Sequence, residues 1–291
     1  MTNRRQRTVL NGTKADWINV ISGVPQGTIL GPILFLLYVN DLPDVVCSTA
    51  KLFADDCKIY RNIFEEEDCD ILQSDLDSLS EWSQKWLLFY NTNKCVVLRI
   101  RAVIPYTYML NGEPLAEVDE QKDLGVIISN DLKPSKHITY ITNKANQRIG
   151  MLKRCITDRS RDTIHKFYKA LIRPILETCS PVWNPWLKKD KDKLDDVQTR
   201  CERLCGDTLE PLEVRRRRAD MRETFKIMRN LYKIDKSNYF TESETSTRGH
   251  PVKLFKPRCR TELRNNFFSH RVVDKSSDVE KFAESLRQSI T

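Results

Sequence analysis

Beyond Asp131 the spacing of apolar residues turns almost wholly helical, whereas before it short apolar runs alternate with turn signals. This change of period constrains the fold more than any other feature, and it predicts an α+β class with the strands confined to the front. In the rear, helices are expected over Ile138–Ile156, Thr163–Cys179, Leu187–Leu204 and Leu212–Tyr232, with a kink at Pro174. In the front, Asn11-Gly12 and Asn111-Gly112 each mark a hairpin turn. The run Ile29–Tyr38 reads as a buried helix with Pro32 in its first turn. Ala50–Tyr60 reads as two strands meeting at Asp55-Asp56. Cys69, Leu72, Leu76, Leu79, Trp82 and Trp86 recur at helical spacing and give one apolar face. Val96–Ile100, Tyr106–Leu110 and Gly125–Ile128 read as further strands.

A chain of 291 residues suggests two domains or three small ones. The longest apolar stretch, Ile29–Val39, is too short to cross a membrane, and the basic segment Met1–Arg7 has no apolar run behind it. A membrane protein and a secreted one are therefore not expected. The net charge of +8 is unevenly placed, with 16 basic and 19 acidic residues in the first 150 positions and 32 and 21 in the remainder. The rear half thus favours a polyanionic partner. Nine cysteines, an odd number without regular spacing, read as reduced thiols of an intracellular protein in nucleus or cytoplasm.

The sharpest local feature is Phe53-Ala54-Asp55-Asp56. Two adjacent carboxylates repel unless solvated or offset by a cation, and taken alone the pair reads most simply as a solvated turn. Held on apolar strands, its hard oxygens would suit Mg²⁺, which binds through one or two carboxylates plus substrate phosphates. Upstream, SGVPQGTILGPILF (Ser22–Phe35) combines Gly23 and Gly27 with Pro25 before the apolar run. Such a loop is either a structural turn or a cradle for a base or phosphate.

Taken together, these segments resemble the reverse transcriptases of non-LTR (LINE-type, jockey-like) retrotransposons. The likeness runs through SGVPQGTILGPILFLLYVNDLP, LFADDCKIY, SDLDSLSEWSQKW, NTNKC, KDLGVIIS, KHITYITNKA, YKALIRPILETCSPVWNPW and RGHPVKLFKPRCRTELRNNFFSHRVV, nearly the whole chain. It implies a partial polymerase palm over residues 1–131, a helical thumb over 132–210 and a basic C-terminal region over 211–291. It also implies an RNA-directed DNA polymerase using two Mg²⁺ ions, an RNA template, a DNA primer and deoxynucleotides. Asp55 and Asp56 correspond to the family's carboxylate pair, with Asp55 the more direct metal ligand. Pro25, Gln26 and Gly27 would pack against nucleotide and template, with Phe53 and Ala54 near the primer end. Lys94 would assist the leaving pyrophosphate, and Leu124-Gly125 would form the primer grip.

The resemblance also implies a third carboxylate upstream of the Pro-Gln-Gly loop. Asp16 is the only acid before Ser22, and its context does not match. The chain is therefore expected to be N-terminally truncated and inactive alone; the rival is a non-catalytic module holding RNA or an RNA–DNA duplex. Arg215, Arg216, Arg217 and Arg218 read equally as a nucleic-acid-binding run or a solvated helix face. The mixture of basic and aromatic residues from Lys253 to Arg271 is likewise either a nucleic-acid surface or a tail with a small core. Cys201 and Cys205 read as core or surface thiols, the four histidines as structural, and Trp183 and Trp186 as loop packing. The oligomeric state is left open.

Overall fold

The chain is described by a computed structural model over residues 4–21, 23, 27–101, 104–158, 160–242 and 254–273. Its first elements are β1 (Arg4–Gln6), β2 (Val9–Leu10), β3 (Thr13–Lys14) and β4 (Ile18–Val20). β1 pairs with β4 and β2 with β3, so they build one long antiparallel ribbon. Its tip is Asn11-Gly12 at φ 48° and 82°, the left-handed pair that a tight hairpin needs.

The apolar run forms α1 (Leu30–Val39), started by the Thr28 hydroxyl, which accepts the Gly31 N–H at 3.1 Å. The expectation of a buried helix is corrected: within α1 only Gly31 and Val39 are buried, Leu37 is 70% exposed, and Ile29 just ahead of the helix is 86% exposed. A helix apolar all round can bury any side, but only the Phe35 and Val39 side meets the small core described here.

β5 (Thr49–Phe53) and β6 (Asp56–Tyr60) form an antiparallel ribbon, followed by α2 (Glu66–Trp86). Glu65 and Asp68 close a capping box at the start of α2, with Glu66 and Glu67 against its positive end and Lys85 in its last turn. The expected stripe faces inward, where Leu79 and Trp82 pack with Val39, Leu42, Leu52 and Ile59. Four short strands follow: β7 (Val96–Leu98), β8 (Met109–Leu110), β9 (Glu113–Pro114) and β10 (Ala116–Val118). β8 is tied to α2 by Gln73, which accepts from and donates to the Met109 backbone at 2.8 and 3.0 Å. Among the described residues every strand belongs to a two-stranded ribbon rather than to one continuous sheet.

The chain divides into two compact units, Met1–Val97 with Ala102–Glu117, and Leu98–Arg101 with Val118–Thr291. The break between these units lies near residue 118. The reason is the hairpin of β11 (Glu120–Asp123) and β12 (Val126–Ser129), whose Val126 is buried with Ile138 in the helical core. α3 (Ser135–Cys155) opens the helical unit, and His137 on it accepts the Ile127 N–H through Nδ1 at 3.2 Å.

α4 (Arg161–Phe167) runs through a π turn at Tyr168–Ile172 into α5 (Arg173–Glu177). The break sits just before Pro174, where a wider turn accommodates the missing N–H. α6 (Ser180–Trp183), α7 (Lys188–Cys205) and α8 (Leu212–Met228) complete the core, with Trp183, Leu194, Val197, Cys201 and Leu212 buried together. Burial pushes the Cys201 thiol up to about 12, as expected of an inert core thiol. Leu212, at the start of α8, is fully buried in this core. The remaining ribbon, β13 (Thr241–Glu242) with β14 (Leu254–Phe255), and the short helices α9 (Glu262–Asn265) and α10 (Phe268–Val273) adjoin it. Here Ile227, Phe240, Phe268 and Val272 share a small core, and Arg271 pairs with Asp220 at 2.7 Å. Among the described residues no helix is long and apolar enough to cross a membrane.

Candidate active site

The register of β5 and β6 fixes the chemistry of their turn. Phe53 pairs with Asp56, leaving Ala54-Asp55 as a two-residue connection. Ala54 stands at φ 52°, in the left-handed region that a side chain with a Cβ disfavours. Such strain persists only where the surroundings enforce it, and it clusters at functional sites. Because strand side chains alternate, Leu52 and Ile59 face the small core while Phe53, Asp56 and Lys58 share the other face. Asp55, Asp56 and Phe53 are all exposed, Phe53 by 64%.

Asp55 and Asp56 thus lie at a hairpin turn, one in the connection and one opening β6. Among the described residues no group of three or more His, Cys, Asp or Glu side chains is placed to hold a metal ion. The two adjacent acids do not by themselves fit a two-ion site, and Asp41, another acid of this unit, instead accepts the Trp82 indole N–H at 3.2 Å. Lys94 is exposed at the end of a single 3₁₀ turn, Thr92–Lys94. Nearby in sequence, the half-buried Tyr90 hydroxyl is held well above its ordinary range by burial and then by Cys57 and Cys95. Gly27 has φ 77°, which suits glycine; Pro25 and Gln26 lie outside the described residues.

In the second unit, Leu124-Gly125 forms the β11–β12 turn at φ 45° and 89°, with Leu124 52% exposed. The arginine run is divided between interior and surface. Arg215 is gripped by the Glu177 carboxylate, with Nη2 donating to Oε2 at 3.0 Å, and also pairs with Glu210 at 2.9 Å. Arg216 is 2% exposed and donates to Asn184 at 3.1 Å. Arg217 and Arg218 face solvent, Arg218 pairing with Glu210 at 2.6 Å. Half of the run is therefore internal structure.

One positioning residue went unread in the sequence. Asp75, 3% exposed on α2, accepts the Cys47 and Ser48 N–H groups at 2.6 and 2.9 Å and so anchors the chain that enters β5. An acid set among Leu72, Leu76 and Leu79 on the inward stripe was the available signal.

Residues 3–140 match the family described as Reverse transcriptase (RNA-dependent DNA polymerase). Over 199 residues the chain is 29% identical to a Drosophila melanogaster protein, "Probable RNA-directed DNA polymerase from transposon X-element", covering 64% of this chain and 22% of that protein. It is 28% identical to the "RNA-directed DNA polymerase from mobile element jockey" of Drosophila funebris, covering 59% of this chain and 20% of that one. A Bradysia coprophila "Retrovirus-related Pol polyprotein from type-1 retrotransposable element R1" is 25% identical, over 64% of this chain and 19% of its own length. The chain thus spans about a fifth of the length of these relatives.

Proposed function

We propose that the chain is part of an RNA-directed DNA polymerase, because residues 3–140 match the reverse transcriptase family and the chain is similar to enzymes of LINE-type retrotransposons. The polymerase would extend a DNA primer with deoxynucleotides along an RNA template, inside the cell in nucleus or cytoplasm. The observation that carries this reading is the Asp55-Asp56 pair at a strand turn opened by a left-handed alanine, within the matched segment. In it residues 1–131 are part of the palm, 132–210 the helical thumb and 211–291 a basic C-terminal region.

Asp55 and Asp56 supply acid at the turn, Phe53 and Ala54 lie by the primer end, and Pro25, Gln26 and Gly27 face nucleotide and template. Lys94 stands as proton donor to the leaving group, Leu124 and Gly125 steady the primer, and Arg217 and Arg218 meet phosphates. Divalent ions in this chemistry stabilise the attacking and leaving oxygens. Among the described residues no further acid stands with this pair to complete such a site.

The same shortfall favours a second reading, a module that holds an RNA–DNA duplex without chemistry. Both readings require the chain to bind a primed RNA template, with affinity falling steeply as salt rises. Fluorescence anisotropy across a salt series checks this, and weak binding indifferent to salt would sink both. Primer extension that depends on Asp55, in a polypeptide continued upstream, separates the first reading from the second.

A further inference from the structure

The ribbon ahead of the Pro-Gln-Gly segment carries a face that the polymerase reading does not use. Arg5 pairs with Asn19 and Gln6 with Ile18, so alternation puts Arg5, Arg7, Trp17 and Asn19 on one side. The Arg5 and Arg7 guanidinium carbons stand 5.8 and 4.5 Å from the Trp17 ring centroid. All four residues are exposed, and the indole keeps 54% of its surface open. An open indole with two guanidiniums fixed beside it combines a flat stacking surface with positive charge. Residues 4–20 hold four basic side chains against one acid, Asp16. That charge complements an anion, and the ring complements an unstacked base; a single nucleic-acid strand presents both at once, whereas a duplex keeps its bases stacked inside.

We propose that the Arg5–Arg7–Trp17 face of this ribbon is a single-strand platform on which a base stacks on Trp17 while Arg5 and Arg7 neutralise neighbouring phosphates. The proposal rests on the polymerase reading only in taking that strand to be unpaired template; the contact chemistry stands without it. Asn19 lies on the same face with an amide able to meet a base edge.

The test is titration of the full chain with a short single-stranded RNA of mixed sequence, followed by tryptophan fluorescence and anisotropy. Trp17→Ala is expected to weaken binding roughly 5- to 150-fold, the range that one stacked base supplies, and to remove most of the fluorescence quenching. Arg5→Ala with Arg7→Ala should make the slope of log affinity against log salt shallower by about 1.4, two phosphates at about 0.7 each. Trp17→Phe, which keeps a stacking ring and leaves the ribbon's register undisturbed, should retain most of the affinity. Unchanged affinity and quenching in Trp17→Ala, with the parent chain binding RNA, would overturn the platform and leave the polymerase reading standing. Failure of the parent chain to bind any single strand would overturn the platform as well, and failure on primed duplex too would take down the polymerase reading.

Discussion

Asp75 in the first unit and His137 in the second show how a single buried polar group secures its own unit. The Asp75 carboxylate accepts two backbone N–H groups where the chain enters β5, and hydrogen bonds to a charged group contribute about 1.5–3 kcal/mol each. Asp75→Ala is predicted to lower the stability of the first unit by roughly 3 kcal/mol, with Asp75→Asn milder because one acceptor oxygen remains. Urea titration of the variants checks the order. His137 is 2% exposed, and burial, followed by the charge of Lys122, lowers its pKa from 6.5 to about 4. A depressed folded value means the neutral ring is the stable form. The contribution is therefore complete above 6.5 and is lost as pH falls from there toward 4. Between pH 7 and pH 5 the loss from this residue should be about 2 kcal/mol. His137→Gln, which can still accept the Ile127 N–H, should flatten that part of the stability profile. An equal loss in both proteins would contradict the assignment.

At the scale of elements, α8 explains why a run of arginines is not one surface. Four consecutive helical residues spread over roughly 300°, so Arg215 to Arg218 could not all face one partner. Arg215 and Arg216 meet Glu177, Glu210 and Asn184, while Arg217 and Arg218 stay outside. Arg215→Ala or Arg216→Ala is predicted to lower stability by roughly 2–4 kcal/mol, each leaving a buried or half-buried partner uncompensated. Arg217→Ala with Arg218→Ala should leave the unfolding midpoint nearly unchanged and weaken duplex binding alike for all sequences. Which arginine turns inward depends on partners more than thirty positions away in the chain, and no local pattern carries that. The turns were legible for the opposite reason: Asn11-Gly12 and Asn111-Gly112 act through their own backbone preferences. So were α2, α3 and α7, whose stripes record the face they bury. β11, reading Glu-Gln-Lys-Asp, has no apolar alternation and stayed hidden.

For the molecule as a whole, the two units differ in how much core they own. The second buries Ile138, Leu176, Leu194 and Leu212 completely, whereas the first closes on Val39, Leu42, Leu79 and Trp82 and leaves Leu30, Leu36 and Leu37 exposed. Amides of α3 and α7 are therefore predicted to exchange with solvent far more slowly than those of α1 and the β5–β6 ribbon, as hydrogen exchange will show. The apolar composition of α1 announced burial, but composition states what a surface can cover, and here little covers it. The Asp-Asp pair was readable as a turn from its sequence, and the want of a matching acid upstream from the lone Asp16, while the strained alanine needed coordinates. In the proposed reading Asp55 belongs to a polymerase site which these residues do not complete. The measurement that tests it is primer extension on a primed RNA template with Mg²⁺ and deoxynucleotides, run on the 291-residue chain, on a polypeptide continued upstream to its relatives' length, and on Asp55→Asn within the latter. No product, product and no product are expected, in that order. Extension by the 291-residue chain alone, or undiminished extension by Asp55→Asn, would contradict it.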